Sequence, residues 1–180
     1  MDTIEHPVNH TLTTTEAIER FVSDNLDELL EHRRWFHAHP EVSFKELRTT
    51  EYIQSFLKWL GSGRIKLVAK TGVVFELGAD APTHAARFNM DALPISEKTG
   101  LPFSSLHDGC SHSCGHDFEL AWGLMVAKYF AANPMKGCLR LIFQPAEEGP
   151  GAEPHGKTGG QLLHELGVFK ADSIMSLHVE

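Results

Sequence analysis

Residues 138–149 read CLRLIFQPAEEG, and this stretch decides the fold. Its first half is a short run with Leu139, Leu141, Ile142 and Phe143 nearly continuous, too brief for a helix and rich in strand-forming side chains. A strand that is apolar on successive residues has no face to give to water, so it needs cover on both sides. The second half, QPAEEG, sets two adjacent acids directly after the strand. Loops at strand ends are where α/β folds place their sites.

The pattern on either side of this stretch alternates helix and strand. Ile18, Phe21, Val22, Leu26, Leu29 and Leu30 recur at helical spacing and predict a helix over residues 16–37, ended by Pro40. A second helix is expected over 44–60, stopped by Gly61 and Gly63. Short β-rich runs follow at 65–69, 72–77 and 83–89. Residues 90–116 lack periodicity, and a loop of this length within a compact domain is usually functional or disordered. An apolar helix is expected at 117–132, a short helix at 160–165 and a last strand at 172–178. Alternation of this kind argues for a layered α/β domain. Residues 1–15 are polar and read as a flexible lead, leaving 16–180 as one domain.

Composition removes several function classes. The chain has 180 residues, 42% hydrophobic and 22% charged, which suits a soluble globular domain. A net charge of -8 without a Lys/Arg block argues against nucleic acid as a partner. No apolar stretch is long enough to span a bilayer, and the polar, acid-bearing N-terminus is not a signal peptide, so a cytoplasmic protein with no membrane partner is expected. Three cysteines, Cys110, Cys114 and Cys138, make no disulfide framework and suggest free thiols or metal ligands.

Three polar clusters sit at predicted element ends: CSHSCGHD at 110–117, QPAEEG at 144–149 and SLH at 176–178. Thiolate, imidazole and carboxylate are the usual ligands of zinc and its transition-metal neighbours. Gly115 lets the backbone turn so that Cys114 and His116 can face one ion. Cys114, His116, one of Glu147 and Glu148, and His178 thus supply a ligand set from three loops. The remaining carboxylate is then a candidate general base. A competing reading closes a structural zinc site from Cys110, His112, Cys114 and His116, although strict alternation over so short a loop strains a tetrahedron.

In order along the chain, HRRWFHAHPEVSFKE (32–46), MDALPISEKTGLP (90–102), HSCGHD (112–117), FQPAEEGPG (143–151) and His178 with Val179 resemble the motifs of the M20 metallopeptidase family, in particular its amidohydrolase branch. That branch includes hippurate hydrolases, N-acetyldiaminopimelate deacetylases and indoleacetyl-amino acid hydrolases. The likeness spans roughly residues 29–180. It implies a zinc-exopeptidase-like α/β domain, with helices on both faces of a mixed sheet. It implies two divalent metal ions, zinc or manganese first, nickel or cobalt as alternatives. Cys114, His116, Glu148 and His178 would be the ligands, Glu147 the general base, and Asp91 a group orienting a ligand from behind. The implied activity is hydrolysis of the amide bond of an N-acyl amino acid or small peptide, in a protein that dimerises at full length.

Three departures accompany the resemblance. Asn89 stands where the family has Asp, and Glu119 stands where it has His. The sequence ends at Glu180, where the family continues into a lid domain and then returns with the C-terminal catalytic part and a final His ligand. The expectation is therefore an N-terminal part of the catalytic domain that is inactive alone. A remnant with a structural or interaction role is the competing reading.

Overall fold

The computed structural model describes residues 14–151 and 156–178. Of the expected lead, residues 1–13 lie outside the described residues, and 14–15 already belong to a helix. Five strands form one sheet: β1 (Arg64–Val68), β2 (Gly72–Leu77), β3 (Thr83–Asn89), β4 (Cys138–Gln144) and β5 (Ser173–Ser176). Their order is β1-β2-β4-β3-β5. β1 and β4 run antiparallel to β2, while β3 runs parallel to both β4 and β5. The sheet is therefore mixed, and β3, β4 and β5 all deliver their C-terminal ends to the same edge.

Strand alternation sorts the side chains into two cores. Val73, Phe75, Ala86, Phe88, Leu139, Leu141 and Phe143 face one side. There they meet Phe36 of α2 (Leu26–Ala38), Ile53 and Leu57 of α3 (Leu47–Trp59), and Leu120 and Leu124 of α4 (His116–Ala132). Val74, Ala85 and Ile142 face the other side, against Leu163 of α5 (Gly159–Glu165) and Val168. β4 is thus covered on both faces, as its composition requires. Phe36, Phe75, Phe88 and Phe143 are completely buried, and each contributes about 1.5–3 kcal/mol relative to exposure.

Two helix expectations need correction. The helix read over 16–37 is two helices, α1 (Thr14–Asp24) and α2, parted at Asn25. The Asn25 Nδ2 donates to the Phe21 carbonyl at 2.7 Å, and its Oδ1 accepts from Lys128 of α4 at 2.7 Å. An Asn side chain that bonds the backbone locally competes with the helical pattern. The helix read from residue 44 begins at Leu47, because Phe44 adopts φ +60 and turns the chain first. The last strand also stops at Ser176, short of the expected 178. Residues 90–115 carry no helix or strand, yet the segment is pinned: Leu93 and Ser111 exchange backbone hydrogen bonds, and Leu106 N–H reaches the Ala38 carbonyl.

Candidate metal centre

The shared edge of β3, β4 and β5 gathers the three polar clusters. Asp91 follows β3, Glu147 and Glu148 follow β4, and His178 follows β5. The loop before α4 brings Cys114 and His116. Gly115 takes φ +81 between them, the left-handed conformation that its missing Cβ permits.

Two groups of donor atoms meet there. Cys114, His116 and His178 each offer an atom within 4.8 Å of the others, and so do His116, Glu147 and Glu148. Cys114 Sγ lies 3.3 Å from His178 Nε2. His116 Nε2 lies 3.8 Å from Glu147 Oε2 and 3.9 Å from Glu148 Oε1. His116 is fully buried and belongs to both groups. All five site residues named from the sequence for metal and base roles are therefore brought together. Among the described residues, Cys110 and His112 join neither group, so the four-residue closure within the loop does not form.

Asp91 holds this arrangement from behind in two ways. Its backbone carbonyl accepts from His116 Nδ1 at 2.7 Å, which fixes the proton on Nδ1 and leaves the Nε2 lone pair facing the centre. Its buried carboxylate accepts from the backbone N–H groups of Glu147 and Glu148, both at 3.0 Å, and from the Ser43 hydroxyl at 2.8 Å.

The donor set fits divalent cations. His116 Nε2 and Glu148 Oε1 are buried without a hydrogen-bond partner, an arrangement that costs stability unless something positive satisfies it. The Cys114 thiol is pushed up to about 12, first by burial and then by Glu148, Glu147 and Glu119. Negative charge already crowds the site, so a thiolate ligand there calls for a cation beside it.

Sequence reasoning missed a layer of residues behind the centre. His37 Nδ1 lies 2.8 Å from Asp117 Oδ2, and its Nε2 lies 3.1 Å from Glu97 Oε1. Arg33 Nε donates to the same Asp117 oxygen at 3.2 Å. These contacts tie α2 and the 90–109 segment to the residue after His116. Burial works to raise the Glu97 carboxyl, but the Ser105 amide, the Thr99 hydroxyl and His37 outweigh it and hold the group down at about 2. Burial, aided by His116 and His37, draws the His112 imidazole down to about 4 and keeps it neutral.

The two substituted positions touch each other. Asn89 N–H donates to Glu119 Oε2 at 2.9 Å, so Glu119 ties α4 to the end of β3. Burial pushes the Glu119 carboxyl up. The Asn89 amide group is buried without a partner.

An α/β sheet with thiol, imidazole and carboxylates converging at the strand ends gives a site whose donor set suits divalent cations. Residues 85–180 match the model of peptidase family M20/M25/M40, and the chain belongs to that family. It is 39% identical over 158 residues to the N-acetyldiaminopimelate deacetylase of Listeria monocytogenes serotype 4a (strain HCC23), covering 86% of this chain and 41% of that protein. It is 40% identical over 151 residues to the enzyme of the same name from Geobacillus thermodenitrificans (strain NG80-2), covering 82% of this chain and 39% of the relative. Among solved structures, it resembles the YXEP protein of Bacillus subtilis, described as a dinuclear metal binding peptidase from the M20 family. The TM-score is 0.76 at 38% identity, covering 90% of this chain and 44% of that one. The chain thus spans about two fifths of the length of these relatives. Among the described residues, no helix is long and apolar enough to cross a membrane.

Proposed function

We propose that this chain carries the metal-binding and proton-transfer half of an amidohydrolase centre acting on a small N-acyl amino acid. Residues 16–180 are then the N-terminal part of a metallohydrolase catalytic domain. One observation carries the reading: two adjacent carboxylates, Glu147 and Glu148, face the same buried and unpartnered imidazole nitrogen. The two are unequally placed. The Glu148 side chain is 20% exposed and the Glu147 side chain 34%. The more enclosed carboxylate suits a ligand, and the more open one suits a base that must reach water.

In this reading Cys114, His116, Glu148 and His178 hold divalent cations, zinc or manganese, and Glu147 is the general base. Bound cations supply Lewis acidity, polarising a carbonyl and lowering the pKa of water. Glu147 takes a proton from the attacking water and delivers it to the departing amine nitrogen, so one group acts as base and then acid. His116 keeps one tautomer because Asp91 fixes its Nδ1 proton. The likeness to enzymes named N-acetyldiaminopimelate deacetylase makes N-acetyldiaminopimelate the first substrate to test.

The experiment compares Glu147→Gln with Glu148→Gln. Glu147→Gln should keep its metal while any turnover of N-acetyldiaminopimelate falls by about 10²–10⁴-fold, the usual contribution of a general base. Glu148→Gln should lose metal. Metal content separates the two variants even where turnover is below detection. Equal metal loss in both would refute the division of labour.

A further inference from the structure

We propose that Glu46 is a positioning residue for the centre: with Asp91 it forms a two-carboxylate cradle that fixes three successive backbone amides and so aims Glu147 and Glu148. The inference rests on the reading of Glu148 as a ligand. Glu46 is fully buried. Its Oε1 accepts the Ala146 N–H at 2.9 Å, and its Oε2 accepts the Thr71 hydroxyl at 2.6 Å. The next two amides, of Glu147 and Glu148, go to Asp91. Amides 146, 147 and 148 are thus all held by carboxylates that belong to neither donor group, although Asp91 Oδ1 also lies 3.7 Å from His116 Nδ1.

The backbone explains why such a clamp is needed. Ala146 adopts φ +47, a left-handed conformation that costs an L-residue with a Cβ roughly 1–2 kcal/mol. A left-handed residue within a turn lets successive N–H groups converge into a concavity that favours negative charge. Without an acceptor inside, the inner side of the strained turn has nothing to hold it. The far side of the turn is closed as well. Gly159 N–H donates to the Ala146 carbonyl at 3.0 Å, and a Cβ on Gly159 would sit 1.7 Å from the Pro145 carbonyl oxygen. Burying a carboxylate is expensive, and hydrogen bonds from a backbone amide and a hydroxyl offset only part of that cost, so burial still pushes the Glu46 carboxyl up. Glu46 also caps α3, its carbonyl accepting from Thr50 N–H at 2.9 Å, so the clamp is anchored to a helix. Ser43 reaches Asp91 from the same turn, joining both halves of the cradle.

The test has two arms. The first is amide hydrogen exchange without metal, on wild type, Glu46→Ala and Glu46→Gln. In Glu46→Ala the Ala146–Glu148 amides should exchange at least ~10-fold faster while core amides of β2 and β4 keep their rates. Glu46→Gln can still accept from Ala146 and should stay near wild type. The second arm is Zn²⁺ affinity by competition with a chromogenic chelator. Glu46→Ala should weaken binding by about 10–100-fold, the usual cost of losing a group that orients a ligand. In a Glu148→Gln background the same change should have almost no further effect, because Glu46 acts through Glu148.

If Glu46→Ala does not fold, Thr71→Val, which removes the other partner of the carboxylate, takes its place with a smaller loss in both arms. Unchanged exchange at 146–148, or an equal loss of affinity with and without Glu148, would overturn the proposal. Glu148→Gln binding zinc as wild type does would instead overturn the ligand assignment, leaving the exchange arm to decide the role of Glu46.

Discussion

Asp91→Ala should cost this domain both stability and metal affinity, and the structure sets the size of each loss. The carboxylate is fully buried and receives three hydrogen bonds, from the amides of Glu147 and Glu148 and from Ser43. A hydrogen bond to a charged group contributes about 1.5–3 kcal/mol when its partner would otherwise be left unpaired in the interior. Glu147 and Glu148 are only half-buried, so water recovers part of each loss. Roughly 1 kcal/mol per donor, about 3 kcal/mol in all, is the reasonable sum. For a domain of this size that lowers Tm by about 6–12 °C. Asp91→Asn should fall between. An amide oxygen in the place of Oδ2 keeps the Glu148 and Ser43 bonds, but the NH₂ then faces the Glu147 N–H, donor against donor. The assay is thermal unfolding with a chelator present, which removes any stabilisation by bound metal, followed by a zinc titration. Metal affinity should fall by about 10–100-fold in the Ala variant. A Tm and an affinity both at wild-type values would show that the Asp91 carboxylate supports neither the turn nor the metal centre.

Two further predictions concern the frame of the site. The Glu97 carboxyl is held at about 2, below its ordinary value, so its contribution is present above pH ~4.5 and is lost as pH falls toward 2. Wild type should lose up to about 3 kcal/mol from this group across that window, while Glu97→Gln, measured by urea unfolding, should lack that part of the slope; identical slopes would contradict it. Gly123→Ala in α4 would place a Cβ 2.8 Å from a Phe143 ring carbon and 2.9 Å from one of Phe88. Helix propensity favours the change by about 1 kcal/mol, but two fully buried rings cannot yield, so overpacking of about 1–3 kcal/mol should match or exceed the gain. Unfolding in urea would show it, and a clearly more stable variant would sink the packing argument.

The parts of the fold legible in the sequence were those set by local pattern. β2 and β3 occupy the β-rich runs read from the sequence, 72–77 and 83–89, because buried strands bounded by Gly and Pro leave little latitude. The break at Asn25 was not legible, since apolar spacing runs through it and the competing bond depends on Lys128 of a distant helix. The site divides in the same way. Cys114, His116, Glu147, Glu148 and His178 stand out because their residue types carry chemistry and lie at strand or helix ends. Glu46 does not, because an acid at the start of a helix is ordinarily a solvated residue, and its carboxylate partners, Thr71 and Ala146, lie 25 and 100 positions away. His37 is similarly silent, because its partner Asp117 lies 80 positions further on. Asp91 was expected to orient a ligand, but that its carbonyl serves His116 while its carboxylate serves two amides is a matter of tertiary packing.

The central claim is that Cys114, His116, Glu148 and His178 hold divalent cations beside Glu147. The direct test is an anomalous difference map at the zinc edge from crystals of this chain grown with zinc. The expected result is a peak among these four side chains, with Cys114 Sγ at about 2.3 Å and His116 Nε2 at about 2.0–2.1 Å, the usual zinc distances. Zinc bound instead between Cys110 and His112, or no peak near His116 at saturating zinc, would contradict it.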